Sequence, residues 1–227
     1  MKIAYKLTDS EMRTHNGFQW ELGKWYKTTG KGKLCSPGWL HFYNDPLVGM
    51  FLNLTYVNIG NSRLFRAEVK GKGLNDHGLK CGYSRARLIE ELPVPQISFV
   101  QRVRFAILCA KKVYKEKEWS KWANNWLSGK DRTEESAKSA KSAFSAAEIT
   151  AELGFYATKS EESAFCAAKS AEIAAESAFY EIKSIMIAFY AAKSAESAAE
   201  STVEIAFYTA ESKKIDLIGI AQKAIKE

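Results

Sequence analysis

Apolar and polar positions change rhythm twice along the chain. Ile3-Ala4-Tyr5-Lys6-Leu7, Phe18-Gln19-Trp20-Glu21-Leu22, Lys24-Trp25-Tyr26-Lys27-Thr28 and Leu64 to Lys70 alternate loosely in twos, the spacing of half-buried strands. Glycines at 30, 32, 71 and 73, with Gly60-Asn61-Ser62 and Asn75-Asp76-His77-Gly78, predict turns between them. Pro46 reads as the first turn of a short helix to about Leu54, capped by Asn44 or Asp45. Past Pro93 and Pro95 the period lengthens. Phe99, Val103, Ala106, Ile107, Ala110 and Val113 form one helical stripe, the helix is expected to run to about Leu127, and its last turns set Trp119, Trp122 and Trp126 at i, i+3, i+7 on one face.

From about residue 134 the rhythm becomes a heptad. Of the twenty positions spaced 3,4 from Ala143 to Thr209, thirteen are Ala, three are Thr, and only Ser160 and Glu181 break the small or apolar seam. Lys or Glu stands at 141, 148, 162, 169, 176, 183, 204 and 211, roughly opposite it. Such a seam predicts helix, since a strand alternates in twos. One unbroken helix over 134–212 would extend about 120 Å at 1.5 Å per residue. Alanine favours helix but buries little surface, so the helix needs a close partner. Self-association through 134–212 is the leading expectation, with an intrachain hairpin or bundle next and an Ala/Ser-rich β-solenoid last. The predicted fold class is an α+β N-terminal domain followed by an Ala-rich heptad-repeat helical region, coiled coil or bundle. The expected domains are a basic head (1–96), a basic amphipathic connecting helix (97–129) and the repeat region (130–227).

Charge follows the same division. The 227 residues carry a formal +7, made of +6 in residues 1–100, +6 in 101–130 and −5 in 131–227. All six tryptophans and all four prolines precede Gly129. Lys24, Lys27, Lys31 and Lys33 interleave with Trp20, Trp25, Tyr26 and Trp39, and Arg102, Arg104, Lys111, Lys112 and Lys115 extend the basic run. This composition suits phosphate contacts and stacked bases, an acidic protein surface, or plain solubility. The candidate partner-binding residues are therefore these nine cations with Trp119, Trp122 and Trp126, the indoles being either a docking stripe or buried.

Candidate chemistry is sparse. Cys35, Cys81, Cys109 and Cys166 make no C-x-x-C pair, and with His15 and His77 they offer no metal spacing. Gly30-Lys31-Gly32-Lys33 lacks the phosphate-loop frame, and the Asn53-Leu54-Thr55 sequon is expected to stay unused. No catalytic, cofactor or metal residue is assigned. The absence of a long apolar run and of a signal core leads to the expectation of a cytosolic protein away from the membrane.

Tyr5-Lys6, Gly17-Phe18-Gln19-Trp20-Glu21, Gly23-Lys24, Tyr26, Gly30, Cys35, Gly38-Trp39-Leu40-His41 and Asn44-Asp45-Pro46-Leu47 together resemble an N-terminal domain of phage and prophage proteins whose function is uncharacterised. The similarity covers about residues 1–70. The family pattern places an aromatic directly before the histidine, whereas Leu40 stands between Trp39 and His41 here. The resemblance implies a non-enzymatic accessory protein in the host cytosol that binds a host protein or protein–nucleic-acid complex, as an inhibitor of a bacterial defence complex. Family members often carry a Gly/Ser/Ala-rich repetitive region. Gly154 is the only glycine between 130 and 218, so a glycine-dependent roll does not transfer. The alternatives are an ADP-ribosyltransferase-like enzyme using His41 with Glu68 as the nearest candidate acid, a virion or scaffold protein, and a nucleic-acid-binding protein.

Overall fold

The computed structural model describes residues 1–34, 36–56, 61–76, 78, 80–113, 115, 117–133, 135–137 and 216–226. The chain divides into two compact units, residues 1–96 with 216–218, and 97–215 with 219–227.

The first unit is a small closed sheet with, among the described residues, one α-helix between its strands and a 3-10 turn at His15–Gly17. Its strands are β1 (Lys2–Thr8), β2 (Arg13–Thr14), β3 (Phe18–Gln19), β4 (Tyr26–Lys27), β5 (Leu40–Phe42), β6 (Arg63–Asp76) and β7 (Lys80–Leu92), with α1 (Pro46–Tyr56) between β5 and β6. β6 and β7 form a long antiparallel hairpin, β1 pairs with β6, and β4 and β5 both pair with β7. Beyond β5, Tyr43 exchanges two backbone hydrogen bonds with Tyr5 of β1, each 2.8 Å, on the edge that β6 leaves free. β1, β6, β7 and β5 thus close on one another, which leaves few unpaired edge groups. Ala4, Trp20, Leu40, Phe42, Phe65, Ala67, Val69, Cys81, Tyr83, Ala86 and Leu88 fill the interior. Trp20, Phe42 and Phe65 are almost wholly buried, and each contributes about 2–3 kcal/mol by its removal from water. Asp45 caps α1 by accepting from the Leu47 and Val48 amides at 2.8 and 3.2 Å.

Three sequence expectations change here. Of Phe18 to Leu22 only Phe18–Gln19 is strand, because Trp20 turns inward, its indole donating to Thr14 Oγ1 at 3.1 Å. Gly71 and Gly73 do not end β6; they form a bulge inside it. Gly71 has φ +77°, and the Lys72 amide bonds Ser84 Oγ at 3.0 Å. The central strand, β7, has no counterpart among the sequence expectations. Gly82 apart, its buried residues are Cys81 and Tyr83, then Ala86 and Leu88, so its inward phase switches opposite the bulge and hides the period of two.

In the second unit the expected single helix over 97–129 is two helices, α2 (Phe99–Val113) and α3 (Lys117–Leu127). Lys111 Nζ bonds Asn124 Oδ1, and Arg104 donates to the Leu127 carbonyl at 3.0 Å, so α3 packs back on α2. A straight helix would leave both stripes in water, whereas the turn buries Val103, Phe105, Ala106, Ile107, Cys109 and Ala110 of α2 and all three tryptophans of α3. α3 ends on Gly129, φ +74°, with the Gly129 amide on the Trp126 carbonyl and the Lys130 amide on that of Asn125, the paired bonds of a Schellman cap. Thr133 Oγ1 accepts from the Ser136 amide at 3.3 Å where residues 135–137 turn helical. α4 (Leu217–Ala224) buries Leu217, Ile220, Ala221 and Ala224, one face of a helix. The heptad seam from 143 to 209, and with it the expected stalk and its self-association, lies outside the described residues, as do Cys35, His77 and Cys166. Among the described residues no helix is long and apolar enough to cross a membrane.

Candidate anion-binding face

The closed sheet has an outer surface where β4, β7 and β6 run side by side. Lys27 of β4 stands opposite Arg85 of β7, and Arg85 stands opposite Lys70 of β6. Cross-strand partners share a face, and neighbouring strands lie about 4.8 Å apart, so three cations occupy one row about 10 Å long. No carboxylate belongs to that row. In the next row Arg87 faces Glu68, and Trp25 lies one residue before β4. The Trp25 ring centre is 4.6 Å from the Arg85 guanidinium, 5.0 Å from that of Arg87 and 4.8 Å from Lys70 Nζ.

Glu68 is the only carboxylate in these two rows. Its Oε1 takes Lys70 Nζ at 2.8 Å and its Oε2 takes Arg87 at 2.7 Å. Hydrogen bonding from Lys70, then from Arg87, holds its carboxyl below the usual carboxylate range. The rest of the hairpin is neutralised differently. Arg63 pairs with Glu91 and Arg66 with Glu90 across the strands. The sheet therefore places opposite charges face to face at one end and like charges at the other. Like charges directly opposed cost roughly 1 kcal/mol in water at this spacing. Trp25 offsets part of that through cation–π contacts, about 0.5–1 kcal/mol each where exposed.

Lys70 also borders an open cavity of about 450 Å³, whose wall includes Lys2, Asn44, Val69, Asn75 and Tyr83. Lys2 Nζ lies 4.8 Å from the Tyr83 ring centre, and the phenol, as a hydrogen-bond partner, raises the Lys2 pKa. Nearby, half-buried Lys6 donates to the His41 carbonyl at 2.7 Å and lies 5.4 and 5.3 Å from the Trp20 and Phe42 ring centres. Burial pulls its pKa down to about 8.

The structure separates the residues singled out from the sequence. Lys27 joins the row. Lys24 is tied to Glu21, and exposed Lys31 and Lys33 lie on the loop that leads to β5. Trp20 and Trp39 are core, Tyr26 is packed against it, and only Trp25 of that aromatic set reaches the basic face. In the second unit Arg104 holds the carbonyls of Leu127 and Lys226, Lys111 holds Asn124, and Lys115 holds the Lys111 carbonyl. Arg102 is half-buried, its pKa lowered by desolvation, and Lys112 is exposed. Trp119, Trp122 and Trp126 are 1%, 7% and 0% exposed, which makes them core and not a docking stripe.

His41 and Glu68 form no acid–base pair: the His41 ring contacts the Leu34 carbonyl, burial lowers its pKa, and Glu68 is held by its two cations. Burial pushes the Cys81 thiol up to about 12, which keeps it protonated. Among the described residues no group of three or more His, Cys, Asp or Glu could hold a metal ion. Sequence reasoning missed Lys70, Arg85 and Arg87. The signal was hidden, because a regular hairpin with Asp76 opposite Lys80 would pair Lys70 with Ala86, and only the bulge after Lys70 brings it opposite Arg85.

These features define a small closed-sheet module with a basic, aromatic outer face. Residues 2–100 match the model of a family described as a domain of unknown function, DUF7666, a span that includes all seven strands and the start of α2. No curated protein and no solved structure matches the chain.

Proposed function

We propose that residues 2–100 form a non-enzymatic binding module for an anionic macromolecular partner, engaged through Lys27, Lys70, Arg85, Arg87 and Trp25. The observation that carries this reading is the Lys27–Arg85–Lys70 row, three like charges on adjacent strands of a sheet that elsewhere pairs opposite charges. Glu68 answers Lys70, and an anionic ligand supplies the counter-charge for Lys27 and Arg85. Beside the resemblance to phage and prophage domains, the partner becomes a host protein or protein–nucleic-acid complex, and the result of binding is inhibition of a defence complex. The heptad seam adds the assembly of several copies.

The test is retention of the full chain on immobilised heparin. The native protein is expected to stay bound at about 0.15 M salt, where screening acts over about 8 Å. The Lys27→Glu, Arg85→Glu variant, with an unchanged circular dichroism spectrum, is expected to flow through. Equal retention of both proteins would remove the face from the argument.

A further inference from the structure

We infer that the outer edge of β6, from Lys70 to Asp76, takes an extended acidic segment of a partner protein as an added strand, with one of its carboxylates in the cavity beside Lys2. This goes beyond the basic row and names a second surface of the same module, which neither Lys27 nor Arg85 lines. β1 covers that edge of β6 only from Arg63 to Val69, where Lys2 is its last paired residue. Farther along, β6 pairs with β7 alone among the described residues, and alternate residues of an antiparallel strand turn amide and carbonyl away from that neighbour. Such a row is a template for another chain. The stretch from Gly71 to Asn75 is exposed throughout, Leu74 at 40%. At about 3.4 Å per residue the edge is about 20 Å long, the length of an ordinary strand. Gly71 and Gly73 mark it as a place where a second backbone can come close.

The cavity of about 450 Å³ lies against this stretch, with Val69 and Tyr83, inward residues of β6 and β7, in its wall. Side chains of an added strand alternate between two faces, so every second residue drops toward it. The wall carries the ammonium groups of Lys2 and Lys70, the side-chain amides of Asn44 and Asn75 and, among the described residues, no carboxylate. Glu68 answers Lys70, which leaves Lys2 to meet an incoming carboxylate. A nucleic-acid strand is the poorer occupant, since its phosphates only accept and the outward carbonyls of β6 would stay unpaired. A second β6 would bring Gly71 and Gly73 to the cavity and leave it empty.

The experiment is fluorescence anisotropy of the full chain with a labelled octapeptide of alternating valine and glutamate, with two forms of it N-methylated at every valine or at every glutamate, and with a dT decamer as competitor. Hydrogen exchange read by mass spectrometry is run with and without the parent peptide. The parent is expected to bind and to slow exchange over 70–76. One methylated form should bind about tenfold more weakly and the other like the parent, because an added strand pairs through alternate residues and methylation leaves the charge unchanged. Lys2→Glu should weaken the parent peptide about tenfold while the protein stays on heparin at about 0.15 M salt, so the edge and the row fail separately. No added protection over 70–76, or equal binding of the parent and both methylated forms, would overturn strand addition. Unchanged peptide affinity in Lys2→Glu would overturn the cavity as the seat of a carboxylate. Displacement of the peptide by the decamer, with the same protection, would overturn the choice of a protein partner. A mass that falls to 25.4 kDa on saturation with peptide would place a second copy on the edge and overturn the assignment.

Discussion

Lys6 sits where a cation is least at home. Its neighbours are aromatic rings and one carbonyl, and desolvation is the largest influence on its ammonium. Because its folded pKa, about 8, lies below the ordinary 10.5, the unfolded chain binds more protons between those values. Stability contributed by this residue is therefore low below pH 8 and rises as pH climbs toward 10.5. The gain is on the order of 2–3 kcal/mol. Urea titrations at steps from pH 7 to 10.5 should show this rise in the native protein and a flatter profile in Lys6→Met, which is also expected to be no less stable at pH 7. Equal slopes for the two proteins would mean that the ammonium is well hydrated. Glu68 behaves in the opposite sense. Its folded pKa lies below 4.5, so the stability its two cations provide is complete above that pH and is lost on acidification through the folded value. Only below that depressed value are Lys70 and Arg87 released from their carboxylate, so the face should hold a polyanion that stays ionised there more strongly than at neutral pH.

At the scale of elements, the bulge in β6 decides which face each cation occupies. A slip of one residue in a strand turns every side chain to the other side. Gly71 sets the register at the bulge: with φ +77° any L side chain is strained, and a Cβ there would lie 2.4 Å from Ser84 Oγ. Gly71→Ala is expected to cost about 1–3 kcal/mol in thermal unfolding. Adding Ser84→Gly should return the steric part and leave the dihedral part, and full recovery in the double variant would show that the backbone tolerates the substitution. The same bulge explains which elements were legible. β1, α1 and a chain reversal near Gly78 follow from local rules, alternation, a proline after an Asx cap and turn residues, although Asn75 and Asp76, expected in the turn, still pair as strand. β7 obeys a rule that changes midway, because Ser84 and Arg85 stand where the inward set passes from Cys81 and Tyr83 to Ala86 and Leu88. Without β7 the row could not be seen, since Lys70 and Arg85 meet only through pairing. The Trp119, Trp122, Trp126 stripe was visible as a face, but whether it met solvent or α2 depended on the chain turning after Val113, where no proline or glycine marks the break.

For the whole molecule, the number of copies sets how tightly the face can hold a partner. A single basic face of four cations that share one carboxylate makes few ionic contacts, and binding through such contacts weakens steeply with salt. Several faces carried on one assembly raise avidity by about 10²–10⁴ without any new contact, if the geometry lets them engage together. The alanine seam is the feature of this chain suited to that role: thirteen of its twenty positions are alanine, which permits close approach of a partner helix but buries too little to stabilise one alone. Light scattering of the full chain should then return a multiple of 25.4 kDa. Replacing Ala171 and Ala178, two seam positions one heptad apart, by Asp places charges on the contact edge and should return the mass of a single chain. Affinity for immobilised polyanion should fall with it, although the basic face is untouched. A native chain that is already single would shift the seam to an intrachain hairpin, and avidity would then have to come from repeated sites on the partner, so that lengthening the polyanion should tighten binding where doubling the protein does not.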